Sequence, residues 1–105
     1  MSKFDMELTA TVELESGSKR RKFKGAVLEL LDTLYDMDFS NVDYSTFYQT
    51  DRGRIKMSIE SGRSYKREEA YEAVTGFIED IRDANLDIQS LKQTTNSFEE
   101  QEDEG

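Results

Sequence analysis

The sequence predicts an α+β fold, a four-stranded antiparallel sheet with two helices on one face. Three observations predict it. Residues 4–15 alternate strictly between apolar and polar; two later segments repeat their apolar residues every three or four positions; and the elements run strand, helix, strand, strand, helix, strand.

The opening strand is the clearest element. Phe4, Met6, Leu8, Ala10, Val12 and Leu14 interleave with Asp5, Glu7, Thr9, Thr11, Glu13 and Glu15, giving one apolar and one polar face. Ser16-Gly17-Ser18 breaks the pattern, and Lys19-Arg20-Arg21-Lys22 reads as a dense basic turn. From Phe23, the positions Phe23, Val27, Leu30, Leu34 and Met37 form the stripe of a core-facing helix. Leu28, Leu31 and Tyr35 lie beside that stripe, so the apolar arc is wide enough for a second neighbour.

Residues 42–50 hold Tyr44, Thr46, Phe47 and Tyr48, the aromatic and β-branched composition of a strand. Asp51-Arg52-Gly53 signals a turn, with Gly53 free to take positive φ. Ile55, Met57 and Ile59 then alternate with Lys56, Ser58 and Glu60, so residues 42–60 read as a hairpin. Ser64 is a candidate N-cap for a second helix, whose buried stripe is Ala70, Val74, Phe77 and Ile81. Gly76 within it costs about 1 kcal/mol relative to alanine and suggests close approach to the first helix. Asp83-Ala84-Asn85 ends that helix. Residues 86–95 form a weaker last strand, in which Ile88 and Leu91 are out of phase, the mark of a bulge or an edge.

This order is the split βαβ arrangement, a ferredoxin-like βαββαβ sandwich with strand order 4-1-3-2. Residues 1–98 make one such domain. Residues 99–105 read as a disordered acidic tail holding five of the chain's 23 acids. The fold by itself carries little functional information.

Composition narrows the function. The 105 residues contain no cysteine, histidine, proline or tryptophan, and their formal net charge is −9. Ser-His and Cys-His nucleophile pairs, thiolate or imidazole zinc sites and disulfides are thereby excluded, and no cofactor is implied. No stretch has the apolar length of a membrane helix, and the first ten residues lack the apolar core of a signal peptide. The expectation is a cytoplasmic chain with no membrane partner.

The helices should cover the apolar side of the sheet. The opposite face then carries Asp5, Glu7, Glu13 and Glu15, with Lys56, Ser58 and Glu60 beside them, and reads as mainly acidic and hydroxylic. Alternate strand residues are about 6.5–7 Å apart, roughly two phosphate steps of about 3.4 Å along one DNA strand. Direct nucleic-acid binding is not expected. An RNA-recognition sheet stacks bases on aromatic rings, whereas the corresponding third-strand positions here hold Arg54, Lys56 and Ile59.

The leading reading is a non-catalytic acidic module that binds a basic protein through Asp5, Glu7, Glu13, Glu15, Glu60 and Phe47. Its sharpest form is a DNA mimic that inhibits a nucleic-acid-binding protein, in the manner of a phage-type or accessory regulator. The plainer explanation of the same acids is a solvated surface. The alternative is a small-molecule-sensing module similar in topology to the ACT domains. It would hold an anion at Lys19, Arg20, Arg21 and Lys22, completed by Arg52 and Arg54, where a helix N-terminus also favours negative charge. A third reading, a metal-dependent nuclease, would use carboxylate pairs such as Glu13/Glu15 or Asp36/Asp38. The wide apolar arc on the first helix and the two edge strands favour a homodimer.

Overall fold

A computed structural model of the chain describes residues 2–39 and 41–99. Strand β1 (Ser2–Glu13) leads into helix α1 (Gly17–Asp36), followed by β2 (Val42–Tyr48), β3 (Arg52–Arg63), a single 3-10 turn (Ser64–Lys66), α2 (Arg67–Asp83) and β4 (Asp87–Glu99). The strands form one antiparallel sheet in the order β2-β3-β1-β4, the predicted order read from the other edge.

The core lies between the two helices and the central strands. Phe4, Met6, Leu8, Ala10 and Val12 of β1 and Ile55, Met57 and Ile59 of β3 are buried. They meet Phe23, Val27, Leu30 and Leu34 of α1 and Ala70, Val74, Phe77 and Ile81 of α2. Each large side chain fully buried here contributes about 1.5–3 kcal/mol. Phe4, Phe23 and Phe77 are all fully enclosed, and truncating any one of them to alanine should cost about 3–5 kcal/mol. Neither edge strand, β2 or β4, contributes a buried side chain among the described residues.

Helix α1 begins at Gly17, six residues before the first apolar position of its stripe. The basic run therefore forms its opening turns and not a loop. Ser16 is the N-cap, its side-chain oxygen accepting from the Lys19 N–H at 3.2 Å. Both helices end by the same device. Asp38 and Asn85 adopt φ of 61° and 57°, and the next residue, Phe39 or Leu86, donates its N–H back to the carbonyl of Leu34 or Ile81. This is the Schellman arrangement, with the apolar residue after the cap buried against the helix. Lys66 closes the end of α1 from outside, donating from Nζ to the carbonyls of Met37 at 2.7 Å and Asp38 at 3.2 Å.

Three local expectations need correction. Gly53 does not take positive φ; the turn lies one step earlier, where the Gln49 N–H donates to the Arg52 carbonyl. A Cβ on Gly53 would sit 2.8 Å from Leu14 Cδ1 and Phe23 Cε1, so packing demands the glycine. Ser64 caps nothing, because the 3-10 turn intervenes and α2 starts after Lys66 without a side-chain cap. Gly76 faces open space and does not bring the helices together.

Two bulges adjust the sheet. In β3, Glu60 and Ser61 together oppose the single residue Asp5, and Ser61 takes φ of 54°. In β4, Gln89 is the extra residue between Ser90 and Ile88, which explains the broken alternation of the last strand. β4 also runs on to Glu99, which lies opposite Ser2 and accepts a hydrogen bond from its hydroxyl. The remainder of the expected tail, residues 100–105, lies outside the described residues.

Candidate interaction surface

Antiparallel register sets the composition of the face turned away from the helices. One rung across the sheet reads Asp43, Ser58, Glu7, Thr94, and the next Ser45, Lys56, Thr9, Lys92. A third reads Phe47, Arg54, Thr11, Ser90, and at the end Arg52, Glu13 and Asp87 lie side by side. The face is therefore charge-mixed and not mainly acidic. Before the bulge, the even-numbered residues 52–58 of β3 point away from the helices because Gly53, Ile55, Met57 and Ile59 are committed to the core. Arg52 and Arg54 join Lys56 there, and β4 adds Lys92.

The predicted acids fall into three settings. Glu13 and Glu15 meet Asp87 at the end of β1, one carboxylate oxygen of each lying within 4.8 Å of the others. Glu15, beyond the strand, also pairs with Lys19 at 3.4 Å. At this separation each like-charged pair costs about 1 kcal/mol in water-like surroundings, and a basic group or a hard cation would relieve it. Glu7 lies mid-sheet, on the rung it shares with Asp43, where β2, β3 and β1 form a shallow trough of about 370 Å³. Asp5 is engaged within the fold: its Oδ1 accepts the Ser61 N–H at 2.8 Å. Glu60 is exposed at the same bulge. Phe47, 57% exposed, lies on the open side of β2 opposite Arg54 and borders a hollow with Thr11 and Arg52.

The basic residues do not converge. Arg20 reaches from α1 to the hairpin tip, where Nη2 donates to the carbonyls of Gln49 at 3.1 Å and Thr50 at 3.4 Å. Lys19 faces Glu15, while Arg21 and Lys22 are exposed on the helix. Arg54 stands on the other side of the sheet, with Nε 3.5 Å from Thr11 Oγ1. Strand alternation thus separates Arg52 and Arg54 from the α1 N-terminus, and no single anion pocket forms from the predicted set. Sequence reasoning missed Asp87 and Lys92. Both come from the last strand, and only its register against β1 places them beside Glu13 and Thr9.

A further acid pair lies between the helices. Glu29 of α1 has its pKa raised, first by the charge of Asp80 on α2, then by a hydrogen bond between their side chains, then by partial desolvation.

No protein-family model matches this sequence, and no curated protein matches it. Solved structures resemble its fold. A VAO-type flavoprotein, MtVAO615 of Myceliophthora thermophila, superposes with TM-score 0.58 at 9% identity over 90% of this chain and 16% of its own. The designed protein Foldit4 gives TM-score 0.50 at 11% identity, covering 92% of this chain and 99% of that one. A C-terminal segment of the aIF2 alpha subunit of Pyrococcus abyssi gives 0.51 at 19%, over 86% and 51% respectively. The chain thus spans under a fifth of the flavoprotein's length, and at these identities the likeness is one of fold.

Proposed function

We propose that this chain is a non-catalytic interaction domain that binds a basic protein surface through the acidic end of its open sheet face. The observation that carries the reading is the meeting of Glu13, Glu15 and Asp87 within 4.8 Å, on a chain of net charge −9. Such a group concentrates negative potential where an arginine or lysine of a partner would lower its energy. Glu7 and Asp43 form a second, separate acidic pair on the same face, two basic rungs away. A sheet face that no described element covers offers breadth for docking, and the troughs on it are shallow.

The narrower form of this reading, imitation of a nucleic acid, asks for an unbroken track of carboxylates. Thr9 and Thr11 interrupt that track on β1, and Lys56, Arg54 and Lys92 flank the gap. The partner is therefore defined by its basic charge, and a DNA-binding protein is one member of that class.

Affinity capture on the immobilised full chain, followed by mass spectrometry at low and high salt, tests the reading. Basic proteins retained at low salt and released by about 0.5 M salt are expected, because exposed charge attraction is screened within a few ångströms there. Reversing Glu13 and Asp87 to lysine should abolish capture. Retention that ignores both salt and charge reversal would overturn the proposal.

A further inference from the structure

Strand β2 and the adjoining flank of α1 form an apolar surface that no other described residue covers. Leu28 (60% exposed), Tyr35 (80%), Tyr44 (56%) and Tyr48 (36%) lie along it, and Leu31, Val42 and Tyr44 line a hollow with Tyr35 and Phe39. From this surface we infer that two copies of the chain join edge to edge through β2. They would form one continuous eight-stranded sheet, with the two α1 helices antiparallel over the seam. The inference is independent of the basic-partner reading.

Backbone geometry supports self-pairing. Asn41 and Gln49 turn their main-chain groups toward β3, the first accepting from the Glu60 N–H at 3.0 Å and the second donating to the Arg52 carbonyl at 2.9 Å. By alternation, Val42, Tyr44, Thr46 and Tyr48 present theirs to the free edge. A two-fold axis through Ser45 places Val42 opposite Tyr48 of the second copy and Tyr44 opposite its Thr46. All of these donors and acceptors then meet in register. Asp43, the only charged residue on the strand, falls opposite Phe47 of the second copy, so no like charges face each other.

The two edges of the sheet differ in protection. β4 carries a bulge at Gln89 and a lysine at position 92, both of which discourage edge pairing. Strand β2 has neither device and no proline.

Charge on α1 agrees with the same axis. Its first half carries Lys19, Arg20, Arg21, Lys22 and Lys24, and its second half Glu29, Asp32 and Asp36, with no acid in the first turn and no base in the last. That layout opposes the helix dipole, so it does not serve the helix itself. An antiparallel copy sets the basic half of one helix against the acidic half of the other. With Leu28 on the axis, Lys24 faces Asp32 of the second copy. The levels coincide as well. Lys24 Nζ lies 4.9 Å from the Tyr48 ring centre, while Tyr35 shares the hollow with Val42. Leu28 and Ser45 fall between those two contacts.

Exposed aromatic rings supply a little over half of the area needed. Tyr35, Tyr44, Phe47 and Tyr48 together leave on the order of 450 Å² uncovered. A standard interface buries about 800 Å² per partner. The main chain of the edge, Leu28 and the stem of Lys24 supply the difference.

Sedimentation velocity on the full chain, from about 1 to about 100 µM, tests the inference. The expected species has twice the 12.2 kDa mass of one chain. Thr46→Pro removes an N–H from the free edge, where proline is tolerated, and should give a monomer with unchanged circular dichroism. Ser45→Lys sets two lysines together on the axis and should weaken the dimer at least about tenfold. Lys24→Asp should weaken it too, and adding Asp32→Lys should restore it. A parent chain that stays monomeric at every concentration overturns the inference, whether or not a foreign strand binds the edge. So does a dimer indifferent to Ser45→Lys and to both charge changes.

Discussion

Asp5 Oδ1 accepts the main-chain N–H of Ser61 at 2.8 Å, so a carboxylate on the open face also holds the β3 bulge in place. Ser61 has positive φ there, a conformation that non-glycine residues adopt only when something fixes it. Asp5→Ala should cost about 1–2 kcal/mol and lower the urea midpoint by roughly 0.5–1 M. Asp5→Asn keeps an acceptor and removes the charge, so it should retain most of the stability. Comparing the two by urea unfolding and partner capture separates the residue's part in folding from any part in binding.

The paired helix ends predict a symmetric set of substitutions. Asp38→Gly and Asn85→Gly remove the penalty of a side chain at φ near +60°, and each should leave stability unchanged or raise it by up to about 1 kcal/mol. Asp38→Ala and Asn85→Ala keep the penalty and lose the tolerance of a short polar side chain, so each should cost about 1 kcal/mol. Thermal unfolding checks the ordering, since about 1 kcal/mol moves the midpoint by roughly 4–8 °C in a domain of this size.

Gly53→Ala tests whether packing fixes that position. Its Cβ would meet Leu14 and Phe23 at 2.8 Å, and both are buried, so neither can swing aside freely. The substitution should destabilise by about 1–3 kcal/mol. The same change at Gly76, where nothing lies within 4 Å, should stabilise α2 by about 0.5–1 kcal/mol. Opposite signs from two alanines would be read directly in denaturant midpoints.

Glu29 and Asp80 make stability depend on pH. The folded pKa of Glu29 is raised above its ordinary value, chiefly by the charge of Asp80. The favourable contribution is thus fully present below the ordinary glutamate value and is lost as pH rises through the raised one. Glu29→Gln should remove that loss, making the variant more stable than the parent at pH 7 and leaving little difference near pH 4. Melting temperatures of both proteins across this range, at low salt, provide the check.

The central elements could be read from sequence because each has one buried face and one solvated face. In β1 and β3, period two survives almost unbroken, and α1 from Phe23 to Leu34 keeps its stripe. Signals failed where another force replaced patterning. The first turns of α1 contain no apolar residue before Phe23, and they are held by the Ser16 cap and by Arg20 against the hairpin tip. The last strand looked irregular because a single extra residue, Gln89, shifts its phase. Alternation within β1 alone places Glu7 and Glu13 on the open face. The character of that face depends equally on Lys56, Arg54, Lys92 and Asp87, whose positions follow from register between strands distant in sequence.

Strand β4 contributes no enclosed side chain, and its last described residue, Glu99, stands opposite Ser2 on β1. Tension applied between these two points would load the β1–β4 ladder one rung at a time, as in opening a zipper, and would not shear all rungs together. The fold should therefore yield first along this seam, with β4 peeling from the outside while the β1–β3 pair stays closed over the helices.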